Sequence, residues 1–382
     1  MSVRKRKWTT SAGEDKEAWI VDYTDQAGER HIRTFDRKKD ADAYHATVKV
    51  DVRHGVHTSS KVTVAEAGAQ WLADGEGRLE PATLESYAQH LNDHIVPYLG
   101  AVKLSQLTVP AVREFTDRLR KDGRSPAMIR RVVGDLGSIL ADAQERGLVA
   151  QNVVRSLSHR KKRRATEKRH KPRLKVGVDI PAPEEIRAIV AHLKGRWRPL
   201  LMTAIFTGLR ASELRGLQWS DVDLKKAELH VRQRADKFKT IGKPKSASGQ
   251  RTIPMPPILV NTLREWKLAC PKSELGLVFP TGAGNVEDHA NIVVRGLVPV
   301  QIAASVIKGG KAKYTGLHAL RHFYASWCIN RKEDGGLGLP LKVVQHRLGH
   351  STIQMTADVY GHLFPSGDDG AELAGAERAL LG

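Results

Sequence analysis

The sequence predicts a multidomain fold: a small N-terminal β-sheet plus helix domain, an all-α bundle, and an α+β, mainly helical unit of catalytic size. Three observations predict it. Apolar residues alternate around Trp19, helical spacing takes over from about Thr63, and mixed patterns resume after Pro181, beyond a strongly basic run at 155–175. With 382 residues the chain is long enough for two or three domains, each with an ordinary core. Lys+Arg number 62 against 42 Asp+Glu, a formal net charge of +20, which favours polyanions, nucleic acid ahead of an anionic membrane. No apolar run approaches the roughly 18–20 residues that cross a bilayer, and MSVRKRKWTT lacks the apolar centre of a signal peptide. The expectation is a cytoplasmic protein with no membrane role. Cys270 and Cys328 stand apart from any CxxC pair or Cys/His cluster, which excludes a disulfide scaffold and a zinc finger.

Residues 1–60 form the first domain. Trp19, Val21 and Tyr23 alternate before a turn at 25–28, and 32–35 returns as the second strand of a hairpin. Asp36 then caps a helix with Ala41, Tyr44, Val48 and Val52 at helical spacing, ending near Gly55. Arg30, Arg33, Lys38 and Lys39 lie among many basic residues that suit a surface laid on phosphates, the alternative being a solvated face. Residues 61–154 read as four helices. Thr63 with Glu66 makes a capping-box pattern, Thr108 and Ser125 precede Pro-containing first turns, and Gly100, Gly123 and Gly147 mark stops. Such a bundle carries no function by itself.

The linker is placed at 155–178. Across 155–175 eleven Lys/Arg, among them Arg160, Lys161, Lys162, Arg163 and Arg164, face the single acid Glu167. So dense a charge repels itself and favours an extended segment that lies along a DNA backbone, or else a tether whose charge aids solubility. The last domain spans 179–382. Pro183-Glu184-Glu185 opens a helix, Trp197–Thr207 is an apolar one, Leu229 and Val231 alternate, and a basic hairpin at 237–256 is turned by Ser246, Ser248 and Gly249. A tail helix carries Leu373, Ala376 and Leu380.

Four stretches of this domain carry chemistry. In Thr207-Gly208-Leu209-Arg210-Ala211-Ser212-Glu213-Leu214, a glycine lets backbone approach closely, and Glu213 shares a helical face with Arg210, a spacing that also describes any surface ion pair. In His318-Ala319-Leu320-Arg321-His322, residues i and i+3 point the same way, so a guanidinium can clamp phosphate oxygens while an imidazole moves a proton. In Leu348-Gly349-His350 the imidazole emerges at a helix break, after which Ser351 with Gln354 makes a second capping-box pattern. Ile353, Ala357, Tyr360 and Phe364 form the apolar face that follows, so periodicity alone makes Tyr360 a core residue. The basic hairpin offers a flexible lysine that can protonate a leaving alkoxide, Lys245 in preference to Lys243, the alternative being lysines that simply touch phosphates.

Together, in this order and with a tyrosine ten residues after the LGH histidine, these motifs resemble the tyrosine recombinase family, particularly phage and genomic-island integrases. The likeness spans roughly 181–364, and the upstream bundle and sheet resemble that family's core-binding and arm-binding domains. It implies that Arg210 and Arg321 bind the scissile phosphate, Lys245 protonates the leaving 5′ oxygen, His318 assists deprotonation of Tyr360, and His350 hydrogen-bonds the phosphate. Tyr360 attacks, giving a 3′-phosphotyrosine, and Glu213 orients the phosphate-binding shell. The implied partners are double-stranded attachment sites and a homotetramer at the nucleoid, with an excisionase and a DNA-bending host factor as candidate accessories. Neither cofactor nor metal is expected. Ala319 departs from the acidic residue common there in the family, whereas His322 and the Gly361-His362 pair match it without an assigned role. The alternatives are a Xer-like chromosome or plasmid resolvase and a catalytically silent DNA-binding regulator on the same scaffold.

Overall fold

The computed structural model describes residues 2–9, 15–24, 30–53, 61–149, 151–157, 173–364 and 369–382. The turn at 25–28, the stop at Gly55 and the basic residues 160–164 lie outside the described residues. The chain divides into two compact units, Met1–Arg169 and His170–Gly382.

In the first unit, strands Ser2–Thr9, Asp15–Thr24 and Arg30–Phe35 form an antiparallel sheet in that order. Helix Lys38–Arg53 covers the face bearing Val3, Trp19, Val21, Tyr23 and Phe35, with Ala41, Tyr44 and Val48 completing a small core. Because successive strand residues point to opposite faces, Arg4, Arg6, Trp8, Ile32 and Thr34 share the uncovered one. The first strand was hidden in the sequence, because its alternation runs between basic residues.

The same unit contains a bundle built on helices Val64–Gly75, Pro81–His90, Val109–Lys121 and Pro126–Glu145. Its core includes Val112, Phe115, Leu119, Val132, Leu136 and Leu140. Glu66 Oε2 accepts from the Thr63 backbone N–H at 2.8 Å while Thr63 Oγ1 accepts from that of Glu66 at 3.2 Å, and Ser125 Oγ accepts from the Met128 N–H at 3.2 Å. Gly123 and Gly147 follow helix ends at φ of +74° and +73°, a conformation glycine adopts without strain. Gly100 also caps a helix end, that of Val96–Leu99, but at φ −54° it keeps a right-handed conformation. The second helix widens into a π-turn at Leu91–Ile95, and helix His289–Asn291 does the same at Ile292–Leu297. In both, a proline (Pro97, Pro299) follows two residues later, where its ring and missing N–H break the ordinary ladder.

The second unit has one large core around helix Trp197–Thr207, flanked by Pro183–His192, Pro257–Ala269 and His318–Ile329. A three-stranded antiparallel sheet places Glu228–Val231 between Val222–Asp223 and Arg251–Pro254. The basic stretch is two devices, not one hairpin. Arg234–Ala235 pairs with Ile241–Gly242, and Arg251–Pro254 pairs instead with Glu228–Val231. Ser246, Ser248 and Gly249 belong to the bend that joins the two pairings, around the short helix Ala247–Gly249. The second capping pattern is also displaced: Thr352, not Ser351, caps helix Ile353–Tyr360, its Oγ1 accepting from the Met355 N–H at 3.2 Å. On that helix Ile353 is exposed, and Thr356 with Tyr360 forms the buried face. Helix Asp369–Leu381 leaves Leu373, Leu380 and Leu381 exposed.

Candidate active site

Helix Trp197–Thr207 ends at Gly208 in the left-handed conformation (φ +60°), and Leu341–Leu348 ends likewise at Gly349 (φ +63°). Helix C-termini carry orphan carbonyls and the negative end of the helix dipole, so cations are held well there. Three arginines use successive carbonyls of the second helix end. Arg251 Nε donates to the Arg347 carbonyl at 2.8 Å, Arg321 Nη2 to that of Leu348 at 2.5 Å, and Arg210 Nη2 to that of Gly349 at 3.1 Å. Arg321 also donates through Nη1 to the Gly208 carbonyl at 2.6 Å. Glycine is required at 349: a Cβ would stand 2.7 Å from Arg251 Nη1 and 3.0 Å from the Ser248 carbonyl.

Glu213 joins two of these arginines. Its carboxylate accepts from Arg251 Nη1 and Nη2 at 3.1 and 2.9 Å, and from Arg210 Nη1 and backbone N–H at 2.9 and 2.8 Å. Burial alone would raise this carboxyl, but the hydrogen-bonded Arg251, with Arg210 beside it, brings it down to about 2. The surface-pair reading of the Arg210–Glu213 spacing therefore fails, because the acid is 3% exposed. Arg321 is 2% exposed, and burial, then Arg210, draws its guanidinium down to about 9, leaving it charged at neutral pH.

Tyr360, 1% exposed at the end of its helix, lies among these cations. Burial pushes its phenol up to about 12, with Arg321 and Arg210 pulling the other way. The His350 ring stacks parallel to it, 6.3 Å between centroids and 5° between planes, while His350 Nδ1 meets Thr356 Oγ1 at 2.9 Å. Burial, followed by Arg321 and Arg210, holds His350 at about 4. His318 stands at the start of its helix, lowered by partial burial and then by Arg321 and Arg210. The group touching the phenol is His322, whose Nδ1 lies 2.7 Å from Tyr360 Oη.

Lys243 and Lys245 are both exposed, in the stretch between Ile241–Gly242 and Ala247–Gly249. The end of that stretch is pinned to the site, since Arg251 Nη1 donates to the Gly249 carbonyl at 2.8 Å. In the N-terminal sheet the basic residues are engaged locally. Arg30 donates to Asp22 at 2.9 and 2.5 Å, Arg33 lies 4.6 Å from the Tyr44 ring, Lys38 lies 5.4 Å from the Trp19 ring, and Lys39 is exposed.

The structure thus gathers Arg210, Glu213, Arg321, His350 and Tyr360, and adds Arg251 and His322, to which no role is assigned from sequence. Arg251 had a legible signal: it is in phase with buried Ile253 on a strand of alternating burial, and a buried arginine needs an acid. His322 follows Arg321 directly, but a single sequence does not say which histidine of HALRH turns towards Tyr360.

The chain is similar to known proteins in sequence and in fold. A model described as the phage integrase family matches residues 182–366, and one described as the phage integrase N-terminal SAM-like domain matches 63–120. The chain is 29% identical over 356 residues to a protein named tyrosine recombinase XerC-like from Caldanaerobacter subterraneus subsp. tengcongensis, covering 86% of each. It is 23% identical over 304 residues to the ICEBs1 integrase of Bacillus subtilis, covering 78% of each. In fold it is similar to the Tn1549 transposon integrase in complex with transposon right end DNA, with a TM-score of 0.64 at 18% identity over 83% of this chain and 99% of that one. The first of these models contains Arg210, Arg321 and Tyr360 and the two together span more than half of the chain, which belongs to the phage integrase family of tyrosine recombinases, enzymes that cut and rejoin DNA strands.

Proposed function

We propose that this enzyme is a site-specific integrase that inserts and excises a mobile element, working from the cytoplasm on nucleoid DNA as a homotetramer. The observation that carries the proposal is the set of cationic groups converging on one buried tyrosine. Arg210 and Arg321 hold the non-bridging oxygens of the scissile phosphate, and His350 donates to them. These groups are preorganised for the charge of the pentacoordinate transition state, where such groups act most strongly. Tyr360 attacks phosphorus and the bond to the 5′ oxygen breaks, Lys245 giving that oxygen its proton. The bond energy stays in the 3′-phosphotyrosine, so rejoining requires no nucleotide cofactor.

The domain roles follow the sequence expectations. Residues 1–60 read arm-type sites, 61–154 hold the core site, 155–178 follow the backbone as a linker, and 179–382 carry the chemistry and the tail helix. The uncovered sheet face with Arg4, Arg6, Trp8, Ile32 and Thr34 supports the first assignment, because a sheet face of this kind fits a major groove. Arg30, Arg33, Lys38 and Lys39, all exposed, serve as phosphate contacts. An excisionase and a bending factor set direction. The relative named XerC-like supports a second reading, resolution of chromosome dimers.

The test is a nicked suicide duplex bearing a candidate core site, in excess chelator. The expected result is a covalent adduct mapped to Tyr360 and lost in Tyr360→Phe, which still binds DNA. An absence of adduct on a site shown to recombine in cells would sink the tyrosine mechanism and leave the silent regulator.

A further inference from the structure

We infer that His322, not His318, accepts the proton of the nucleophile, an inference that rests on the transesterase reading above. Two imidazoles, His322 and His350, contact Tyr360 and a third, His318, packs on His322, and these contacts separate their roles. His350 is stacked on the phenol ring with its Nδ1 engaged by Thr356 Oγ1, so its remaining nitrogen is the one left for a phosphate. The His318 ring meets His322 edge-on, 4.6 Å between centroids at 89°, and the histidine hydrogen-bonded to the phenol among the described residues is His322. His322 Nδ1 is within hydrogen-bond reach of the phenolic oxygen at 2.7 Å, the distance a general base needs. With its proton on Nε2, the ring presents Nδ1 as an acceptor.

The surroundings keep that nitrogen unprotonated until it is needed. Burial, followed by the charges of His318 and Arg321 on its own helix, holds His322 at about 4, while Asp179 opposes them. The charged and titratable groups facing it are therefore His318, Arg321, Asp179 and Tyr360. When a phosphate binds beside Arg321 its negative charge offsets that of the guanidinium, and an imidazolium at 322 becomes easier to form. The step balances: the phenolic proton passes to Nδ1, the oxygen pair forms the O–P bond, and the P–O5′ pair leaves on an oxygen that takes a proton from Lys245. In rejoining, His322 returns the proton to the tyrosine.

The test uses the full chain on the suicide duplex under single-turnover conditions. His322→Asn keeps a polar group near the position of Nδ1 but cannot take up a proton, and His322→Gln serves in parallel should the first fail to fold. The expected result is unchanged DNA affinity with cleavage slowed about 10²–10⁴-fold, the span typical of a lost general base. Replacing Tyr360 by 2,3-difluorotyrosine, a more acidic phenol, should return at least about tenfold of that loss, because a nucleophile that ionises more readily depends less on its base. A structural role would not move with nucleophile acidity. Cleavage by the variant within about threefold of wild type, or a loss of equal size with either nucleophile, overturns the inference. Failure of the underlying reading is distinct, since wild type itself would then form no adduct.

Discussion

Glu213 is the residue whose removal the structure prices most directly. It is 3% exposed, and its carboxylate is shared by Arg251, whose side chain is wholly buried, and Arg210. A carboxyl held at about 2 against an ordinary 4.5 contributes about 3 kcal/mol at neutral pH, each tenfold in proton affinity being worth about 1.4 kcal/mol. Breaking one partner of a buried pair gives a similar figure, about 3–5 kcal/mol, because the other charge is stranded. Glu213→Gln should therefore lower stability by about 3 kcal/mol, read by urea unfolding at pH 7 through tryptophan fluorescence. The sign with pH follows from the lowered value: this stability is present above about 4.5 and is lost as pH falls towards 2. The difference between wild type and variant should shrink over that window and vanish at its lower end. A loss below about 1 kcal/mol at pH 7, or a difference that does not change with acid, would refute the claim that Glu213 is the counter-charge of the arginine cluster.

Other outcomes follow from the same geometry. Lys245→Ala should slow cleavage of an ordinary phosphodiester by about 10²–10⁴-fold and cleave a 5′-bridging phosphorothiolate at close to the wild-type rate, since a thiolate leaves without a proton, whereas Lys243→Ala should cleave both at close to the wild-type rate. Gly349→Ala should destabilise the fold by more than about 1 kcal/mol and reduce cleavage, because the new Cβ meets Arg251 and the Ser248 carbonyl at a left-handed backbone position, as differential scanning calorimetry and the suicide duplex would show. Lys39→Ala should weaken arm-site binding and reduce the slope of log K against log salt by about one, while leaving core cleavage unchanged.

Much of this was legible in sequence because the signals were local. Thr63, Glu66 and Ser125 cap their helices as their spacing implies, and Gly349 ends its helix where the LGH break falls. What escaped was decided by long-range contact. Register between distant strands, not the turn chemistry of Ser246 and Gly249, split the basic stretch between two sheets. Periodicity made Tyr360 a core residue and was right about burial, yet it is silent on the Nδ1 that reaches the phenol from another helix. Arg251 pairs with an acid 38 residues away, a contact the strand pattern could announce but not assign.

The three carbonyls at the end of Leu341–Leu348 have a consequence of scale. Arg251, Arg321 and Arg210 arrive from three separate elements, and each finishes on the next carbonyl along one stretch of main chain. The spacing of the guanidinium groups is thus measured off by peptide units, whose dimensions no side-chain substitution alters. The backbone from Arg347 to Gly349 acts as a ruler: inserting or deleting one residue within it would misplace all three cations at once. Side chains on the outer surface of the unit can change freely around so fixed a gauge, and DNA-reading surfaces can diversify while the chemistry keeps its dimensions.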